Sequence, residues 1–514
     1  MGLAHSHGDD RSSSDLERDV LNWFTPLPPA RNGIADYASM LLREIARHTP
    51  CACYCEDALA EAPPDVEVRD PVQAFRHLGP HSRILHHVGN NRGHVFVLNA
   101  LRRFGGVTSL HDLSLLYVNE LDAAKPDALF GRMKTSSPAL GDVYARHWRD
   151  NNFKTSANYV LFDMVDEILD TSDHVIVHSD FARKKLIATY GAGAGEKLTV
   201  IPHFAKPIPA ASSRQARLEL GLDPATPLIL TSGFATNAKR FDWLIAAVAD
   251  LRREGRAFRW IHAGEERPAE YPLSKEIQAH SDLSEVCTVT GYLSEDKLDR
   301  YIAAADIVVN LRFPSVGESS GTLARAFSAG RCCVVSDTAA YSEIPRDTVV
   351  HIPLFDSSPA LRIALDALLS DRALRETFGR RARQYARTTL SIESIAQRYL
   401  AVVEHAQRSS RSKRQPIGAV NALSERGENA APTVVEWTVD DHIPALSSLI
   451  KPPAADFQGV FWFTSADHFA KVMGDSPATV TRLSSPEVEI KAIGFSGSMD
   501  ASRIGLRIAG YIHR

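Results

Sequence analysis

The sequence predicts an α/β protein with two doubly wound parallel sheets, followed by a small C-terminal extension of α/β or β structure. Between residues 20 and 390, apolar strand-like runs alternate twice with amphipathic helical patterns, as is typical of parallel sheets covered by helices. At 514 residues the chain is long enough for about three domains. Its 44% hydrophobic and 23% charged content is ordinary for a globular protein and argues against wholesale disorder.

The first sheet domain is predicted over residues 20–205. Residues 20–25 form its first strand, a Pro-rich loop extends to Gly33, and a helix follows over residues 34–47. Later strands are predicted at residues 82–88, 106–112 and 173–179. Ligands of such sheets bind at the carboxyl ends of the strands. The residues predicted at these ends are His86, His87, Gly89, Asn90, His111, Asp112 and Ser179.

Cys51, Cys53 and Cys55 alternate along the chain, so a strand would place all three on one face. Six cysteines in the whole chain are too few for a disulfide framework. Zinc sites usually pair their cysteines two residues apart and take a second pair from elsewhere. A buried strand is therefore favoured over a metal site.

The second sheet domain is predicted over residues 206–390. Its strands are expected at residues 227–234, 258–264, 287–291, 306–311 and 331–336. Residues 391–407 form a terminal helix, which we expect to pack back on the first domain. Its apolar positions are Ile392, Ile395, Ala396, Tyr399, Leu400 and Val403.

Residues 1–19 and 408–514 do not follow this alternation of strands and helices. Residues 1–19 form a polar tail without the apolar core of a signal peptide. Residues 408–433 are interpreted as a linker with a basic start, and residues 434–514 stay unassigned, with strand-like pieces at 459–464 and 487–493. The net charge of −4 gives no case for nucleic acid. Without a run of about 18 apolar residues, a cytoplasmic protein is expected, and the basic run suggests peripheral contact with the inner membrane face.

Residues 310–326 carry the most informative motif, because a carboxylate and several small residues stand where an apolar strand turns into a helix. The helix is expected to begin near Ser319 or Ser320, which leaves the amides of Ser320, Gly321 and Thr322 free to bind a diphosphate. Glu318, just before them, suits neutral sugar hydroxyls. The pattern favours a nucleotide sugar, and the alternative is a capped helix with a solvated Glu318.

Seven segments in order resemble the bacterial family 4 (group 1) retaining glycosyltransferases of the two-domain GT-B fold, over residues 20–407. They are residues 24–37, 87–90, 109–112, 177–181, 233–240, 291–294 and 311–321. Each match is weak alone, and it is their order and spacing that are specific.

The resemblance implies a role for each matching residue. Glu318 would contact hydroxyls of the donor sugar, Lys239 would neutralise the diphosphate, and His111 would lie near the reacting sugar. Catalytic roles are expected for Glu318, His111 and Lys239, and acceptor binding for Asn90, His111 and Asp112. The donor-binding set is Gly33, Gly233, Lys239, Arg240, Gly264, Tyr292, Leu293, Arg312, Glu318, Ser319, Ser320, Gly321 and Thr322.

Two positions depart from the family pattern. The second glutamate of the family's Glu-x7-Glu motif, which usually contacts the ribose, would fall at Ala326. Phe234 stands where an arginine often follows the glycine, so one diphosphate cation is missing. Arg312 or Arg240 could supply that charge, because a guanidinium suits phosphate.

The implied reaction moves a glycosyl group from a nucleoside diphosphate sugar to an acceptor hydroxyl with retention, and no metal or other cofactor is expected. GDP-mannose and UDP-sugars both stay open as donors. A surface polysaccharide, O-antigen or lipid-linked glycan is the expected acceptor, and the linkage stays open. The alternatives are a nucleotide-sugar epimerase on the same architecture and a catalytically silent nucleotide-sugar-binding scaffold.

Overall fold

The computed structural model describes residues 20–30, 32–79, 81–123, 125–137, 141–151, 162–208 and 213–414, together with four strands between Thr433 and Ile512. The predicted tail at residues 1–19 lies outside these described residues. The chain divides into one compact unit up to Arg411 and a second from Ser412 onward. The first unit contains two parallel sheets, and the α/β prediction is therefore confirmed.

The first sheet has seven parallel strands in the order β3-β2-β1-β4-β5-β6-β7. Its central strand β1 is buried on both faces, as parallel strands covered by helices are. Trp23 faces one hydrophobic layer and Phe24 the other. The strands are β1 (Leu21–Phe24), β2 (Cys51–Tyr54), β3 (Glu67–Arg69), β4 (Arg83–Val88), β5 (Val107–Leu110), β6 (His174–Val177) and β7 (Leu198–Val200).

Helices cover both faces of this sheet. They are α1 (Gly33–Ile45), α2 (Ala74–His77), α3 (Val95–Phe104), α4 (Leu116–Asp122), α5 (Pro126–Ser136), α6 (Gly141–Asn151), α7 (Asp166–Thr171) and α8 (Asp180–Tyr190). Short 3-10 turns lie at Pro71–Gln73, Arg92–His94 and Ala192–Lys197. Cys51, Cys53 and Cys55 all enter the same buried layer beneath α1, which confirms the buried strand.

The second sheet has six parallel strands in the order β10-β9-β8-β11-β12-β13. They are β8 (Leu228–Ser232), β9 (Arg259–Ala263), β10 (Cys287–Val289), β11 (Ile307–Asn310), β12 (Cys332–Ser336) and β13 (Val350–Ile352). The helices are α9 (Ser213–Glu219), α10 (Phe241–Arg253), α11 (Leu273–Gln278), α12 (Ser281–Ser284), α13 (Glu295–Ala304), α14 (Gly321–Ser328), α15 (Ser357–Ser370) and α16 (Arg372–Thr388). The 3-10 turns are Asn237–Lys239 and Ala339–Glu343.

The terminal helix α17 (Ile392–Arg414) leaves the second domain and packs on the first. Ile395, Ala396 and Val403 lie in the same buried layer as Leu21 and Trp23 of β1. The hydroxyl of Tyr399 is 2.8 Å from Ser109 Oγ and 3.1 Å from the hydroxyl of Tyr37. The helix thus ties the end of the second domain to the sheet of the first.

The start of the linker was placed too early, because residues 408–414 are the last part of α17. The next described strand, β14 (Thr433–Thr438), begins at the last residue assigned to that linker. In the second unit, β14 is parallel to β15 (Asp456–Phe463), and β17 (Ile504–Ile512) is antiparallel to both β15 and β16 (Val488–Gly497). Of the helices that the structure describes, none is long and apolar enough to cross a membrane.

Candidate active site

A cleft of about 570 Å³ lies between the two sheet domains of the first unit. The first domain contributes the loop around Pro28 and the start of α1, and the second contributes the loops that follow β8, β10 and β11. Ten of the predicted donor-binding residues line it: Gly33, Gly233, Lys239, Tyr292, Leu293, Arg312, Ser319, Ser320, Gly321 and Thr322. The structure therefore brings together groups that are far apart in the chain.

Lys239 is a half-buried basic residue that lines this cleft. Its Nζ donates a 2.5 Å hydrogen bond to the carbonyl of Ser232, and no carboxylate of the described residues lies within ion-pair distance. Burial, followed by the charge of Arg312, holds the pKa of Lys239 well below its ordinary value. Gly233 has a φ of +77°, and a Cβ there would lie 2.8 Å from Lys239 Nζ. The glycine therefore leaves the ammonium open to the cleft.

Arg312 and Glu318 form an ion pair across the loop after β11, with Arg312 Nε 3.3 Å from Glu318 Oε1. The other carboxylate oxygen, Oε2, accepts 3.0 Å hydrogen bonds from Ser315 Oγ and the backbone N–H of Val316. Glu318 is not among the residues that line the cleft. Through these contacts the carboxylate of Glu318 stabilises the loop after β11. It also orients Arg312, which does line the cleft.

Helix α14 begins at the cleft with Ser320 as its N-cap, whose Oγ accepts a 3.3 Å hydrogen bond from the N–H of Leu323. The amides of Gly321 and Thr322 belong to the first turn and have no carbonyl of the helix to bind. Their partial positive charge, added to Lys239 and Arg312, makes this side of the cleft attractive to an anion.

The cleft-facing side of α14 is formed by Thr322 and Arg325, which are one turn apart. Ala326 is fully buried in the hydrophobic layer behind the helix. The position that we matched to the second family glutamate is therefore a core position. Its neighbour Arg325 lines the cleft instead, although it was not among the predicted site residues.

Arg240 does not line the cleft. Its guanidinium lies 4.4 Å from the centroid of the Trp243 ring and pairs with Asp242 at 2.5 Å. Arg240 is therefore not the replacement for the missing diphosphate cation, and Arg312 is the one of the two that faces the cleft. Phe234 lines the cleft, and the guanidinium of Arg267 stacks 3.7 Å from the centroid of its ring.

Four more predicted donor-binding residues, two glycines and two loop residues, differ in where they lie relative to the cleft. Gly264 lies behind the cleft, because a Cβ there would be 2.2 Å from the carbonyl oxygen of Gly233. Gly33 lines the cleft at the start of α1, with open space where its Cβ would be. Tyr292, which is 56% exposed, and the half-buried Leu293 both line the cleft.

The three predicted acceptor residues belong to a hydrogen-bonded scaffold and do not line the cleft. Asp112 Oδ2 accepts a 2.7 Å bond from the N–H of Asn90, and Asn90 Oδ1 accepts a 2.9 Å bond from the N–H of Val118. His111 Nε2 lies 2.9 Å from His87 Nδ1. Burial, together with neighbouring histidines, lowers the pKa of His111 well below its ordinary value. His111 therefore lies in a cluster of histidine rings, and its contact with a sugar stays a prediction.

The sequence analysis also missed a charged cluster at the floor of the cleft. Glu295, at the start of α13, and Arg325 and Lys206 all line it. Asp36 of α1 lines it from the first domain, and burial together with the charge of Glu295 raises its pKa to about 6. The side chains of this cluster come from distant segments, so no local motif marks them. Among the described residues, no group of three or more His, Cys, Asp and Glu side chains is placed to hold a metal ion.

The second domain is similar to a known family of proteins. Residues 226–371 match the family model of the glycosyl transferases group 1. The chain is 29% identical over 234 residues to a D-inositol 3-phosphate glycosyltransferase of Nocardia farcinica, covering 43% of this chain and 50% of the relative. It is 30% identical over 175 residues to an alpha-D-kanosaminyltransferase of Streptomyces kanamyceticus, covering 34% and 44%. The chain thus spans half or less of the length of these curated relatives.

Solved structures of low sequence identity share the fold. A sucrose-phosphate synthase of Thermosynechococcus elongatus superimposes with a TM-score of 0.56 at 18% identity, over 76% of this chain and 100% of that one. HepE of Anabaena, solved with UDP-glucose, gives 0.52 at 15% identity, over 75% and 99%. Residues 226–371 are therefore similar to the group 1 glycosyl transferases, and the two parallel sheets of the first unit form a GT-B fold.

Proposed function

We propose that this protein is a retaining glycosyltransferase that moves a sugar from a nucleoside diphosphate sugar to an acceptor hydroxyl. The observation that carries the proposal is the convergence of Lys239, Arg312 and the first turn of α14 on one side of the cleft. Lys239 is half-buried without a carboxylate partner among the described residues. A buried cation is costly unless an anion joins it, and a diphosphate would be that anion.

The same groups suit the chemistry of the transfer. The bond between the anomeric carbon and the diphosphate oxygen breaks, and a bond from that carbon to the acceptor oxygen forms. Negative charge grows on the leaving diphosphate, and fixed cations and amides aimed at it stabilise the transition state. In this proposal the leaving phosphate takes the acceptor proton, Glu318 orients Arg312 from behind the cleft wall, and no metal is needed.

The donor that we propose is a UDP-sugar or GDP-mannose. The UDP-glucose complex of HepE, which shares the fold, is the reason to test UDP-sugars first. The acceptor that we propose is a glycan or lipid-linked glycan in the synthesis of a surface polysaccharide such as an O-antigen. Such an acceptor would place the protein in the cytoplasm, in peripheral contact with the inner face of the membrane.

The test begins with thermal-shift binding of GDP-, UDP-, dTDP- and ADP-sugars, with and without EDTA, followed by product analysis for the donor that binds. We expect one nucleotide class to bind, and Lys239→Ala to weaken its binding by about ten- to a hundredfold, because a charged hydrogen bond is lost. Lys275→Ala is the matched control, since Lys275 is exposed on α11, outside the cleft.

Each outcome bears on the proposal. Sugar transfer that depends on Lys239 and continues in EDTA supports it. Binding of a nucleotide sugar without any transfer or hydrolysis would leave a sugar-nucleotide scaffold, and no binding at all would overturn the proposed site.

A further inference from the structure

The charged cluster at the floor of the cleft contains one carboxylate that stays open to the cleft. Lys206 Nζ lies 3.0 Å from Glu295 Oε2 and 3.0 Å from Asp299 Oδ2. Arg325 pairs with Glu295 through Nη2 and with Asp299 through Nη1, the latter at 3.3 Å. Glu295 lines the cleft with 40% of its side chain exposed, whereas Asp299 is 12% exposed and does not line it.

Glu295 keeps acceptor capacity after these contacts. Each of its oxygens has one protein cation as a partner, and an ionised carboxylate accepts about four hydrogen bonds in all. The two cations balance the charges of Glu295 and Asp299, so the cluster is nearly neutral as a whole. Such a cluster favours hydroxyl donors over another cation, and two adjacent hydroxyls match its two open positions.

The first domain presents a second carboxylate to the same space. Asp36 lies in the cleft wall on α1, where burial and the charge of Glu295 raise its pKa to about 6, against the opposite effect of Arg325 and Lys206. Two negatively charged carboxylates repel each other, whereas each can accept hydrogen bonds from neutral hydroxyl groups. This arrangement agrees with a ligand that brings hydroxyls, and no charge, to this point.

Glu295 is linked by its neighbours to both groups of cleft residues that could hold a nucleotide. It follows closely after Tyr292 and Leu293, which also line the cleft. Its partner Arg325 is one helical turn from Thr322, at the end of α14 that faces Lys239 and Arg312. A nucleotide with its base against Tyr292 and Leu293 and its diphosphate at the cations would bring its ribose between the two, where Glu295 pairs with Arg325.

We propose that Glu295 accepts hydrogen bonds from the ribose hydroxyls of the nucleotide, and that Lys206 and Arg325 hold its carboxylate in position. This inference rests on the proposed function, because it needs a nucleoside diphosphate in the cleft. It assigns the ribose contact to α13, since the core position of Ala326 on α14 cannot supply it.

The test compares the dissociation constants of UDP and GDP with those of their 2′-deoxy and 3′-deoxy counterparts, by calorimetry. A site built to bind a hydroxyl rejects the analogue that lacks it. We expect the wild type to prefer the ribonucleotide by about tenfold or more. Glu295→Ala should bring this preference close to one, with Glu295→Gln in between, while Asp299→Asn should keep it. Asp299 is the matched control because it shares both cations without lining the cleft.

The possible outcomes distinguish a failure of this inference from a failure of the proposed function. If the wild type binds neither UDP nor GDP, the proposed site itself is wrong. If it binds one of them and Glu295→Ala and Glu295→Gln both keep the wild-type preference for the ribonucleotide, only the role of Glu295 is overturned. An equal loss of preference in Asp299→Asn would also overturn it, since the effect would then come from the cluster as a whole.

Discussion

The carboxylate of Glu343, in the second domain, accepts a 3.0 Å hydrogen bond from the backbone N–H of Asp180, the first residue of α8 in the first domain. Its other oxygen accepts from the N–H of Phe181. The first-turn amides of a helix lack partners within the helix, and a carboxylate beside them also interacts well with the helix dipole. One side chain of the second domain therefore completes a helix of the first.

Removal of this contact should loosen the two sheet domains. We expect Glu343→Ala to cost about 1 kcal/mol, the usual value of an N-terminal cap, and to increase the radius of gyration in small-angle scattering. Ser179→Ala is the control, because Ser179 caps the same helix from within its own domain, at 3.0 Å from the N–H of Ala182. If Ser179→Ala expanded the protein as much as Glu343→Ala, the cross-domain contact would have no special role.

Gly317 should be sensitive to a single added methyl group. Its φ is +105°, and a Cβ there would lie 2.6 Å from Leu113 Cδ1 and 3.0 Å from Phe181 Cε1, both in the first domain. Gly317→Ala should therefore push the neighbouring Glu318 away from the first domain and lower kcat at least tenfold. It should also lower the free energy of unfolding by about 1–2 kcal/mol, because a side chain is strained at a positive φ.

Gly291→Ala is a matched control for Gly317. Gly291 also has a positive φ, of +75°, but open space surrounds its Cβ position. We expect both variants to lose similar stability in thermal unfolding and only Gly317→Ala to lose kcat. An equal loss of kcat in the two variants would contradict the proposed contact.

The strands at the centres of both sheets could be predicted from the sequence, whereas three of the edge strands could not. Inner strands such as β1 and β12 are mostly apolar and are buried at every position, because helices cover both of their faces. The edge strands β3, β7 and β13 are only three residues long and half-exposed. Their hydrogen bonds to a neighbouring strand decide their structure, and a local pattern carries no record of that neighbour.

One part of the cleft could also be predicted from the sequence. It is formed by the junction between β11 and α14. Ser319, Ser320, Gly321 and Thr322 line the cleft because the end of β11 and the start of α14 fix their position. The face of α14 was not predicted, since Arg325 and Ala326 are neighbours in the chain and only packing decides which one is buried. The contacts of His111 with His87 and His178 were not predicted for a similar reason, because these histidines come from other strands.

Binding of a nucleoside diphosphate should change the charge of Lys239. Burial and Arg312 lower its pKa in the free protein, and a bound diphosphate would raise it again. Binding at a pH at which Lys239 is neutral in the free protein should therefore take up protons from solution, since a group whose pKa rises on binding gains protons. Calorimetry in two buffers of different ionisation enthalpy measures this uptake. It should vanish in Lys239→Met and persist in Lys275→Met; uptake that survives in Lys239→Met would assign the proton to another group.

Asp36 should make the stability of the free protein depend on pH. Burial and Glu295 raise its pKa from 3.8 to about 6 in the folded state. The folded state therefore holds the proton more tightly than the unfolded state, so this contribution to stability is present at low pH and is lost as the pH rises through about 6. Asp36→Asn keeps the side chain neutral at every pH and removes that loss.

We expect Asp36→Asn to be more stable than the wild type at pH 8 in urea unfolding, and this difference to shrink at pH 5, where the wild-type carboxyl is mostly protonated. Asp296→Asn is the control, because Asp296 is an exposed residue of α13, outside the cleft. A difference between Asp36→Asn and the wild type that is the same at both pH values would show that Asp36 ionises without cost in the folded protein. The carboxylates of Asp36 and Glu295 would then not oppose each other across the cleft.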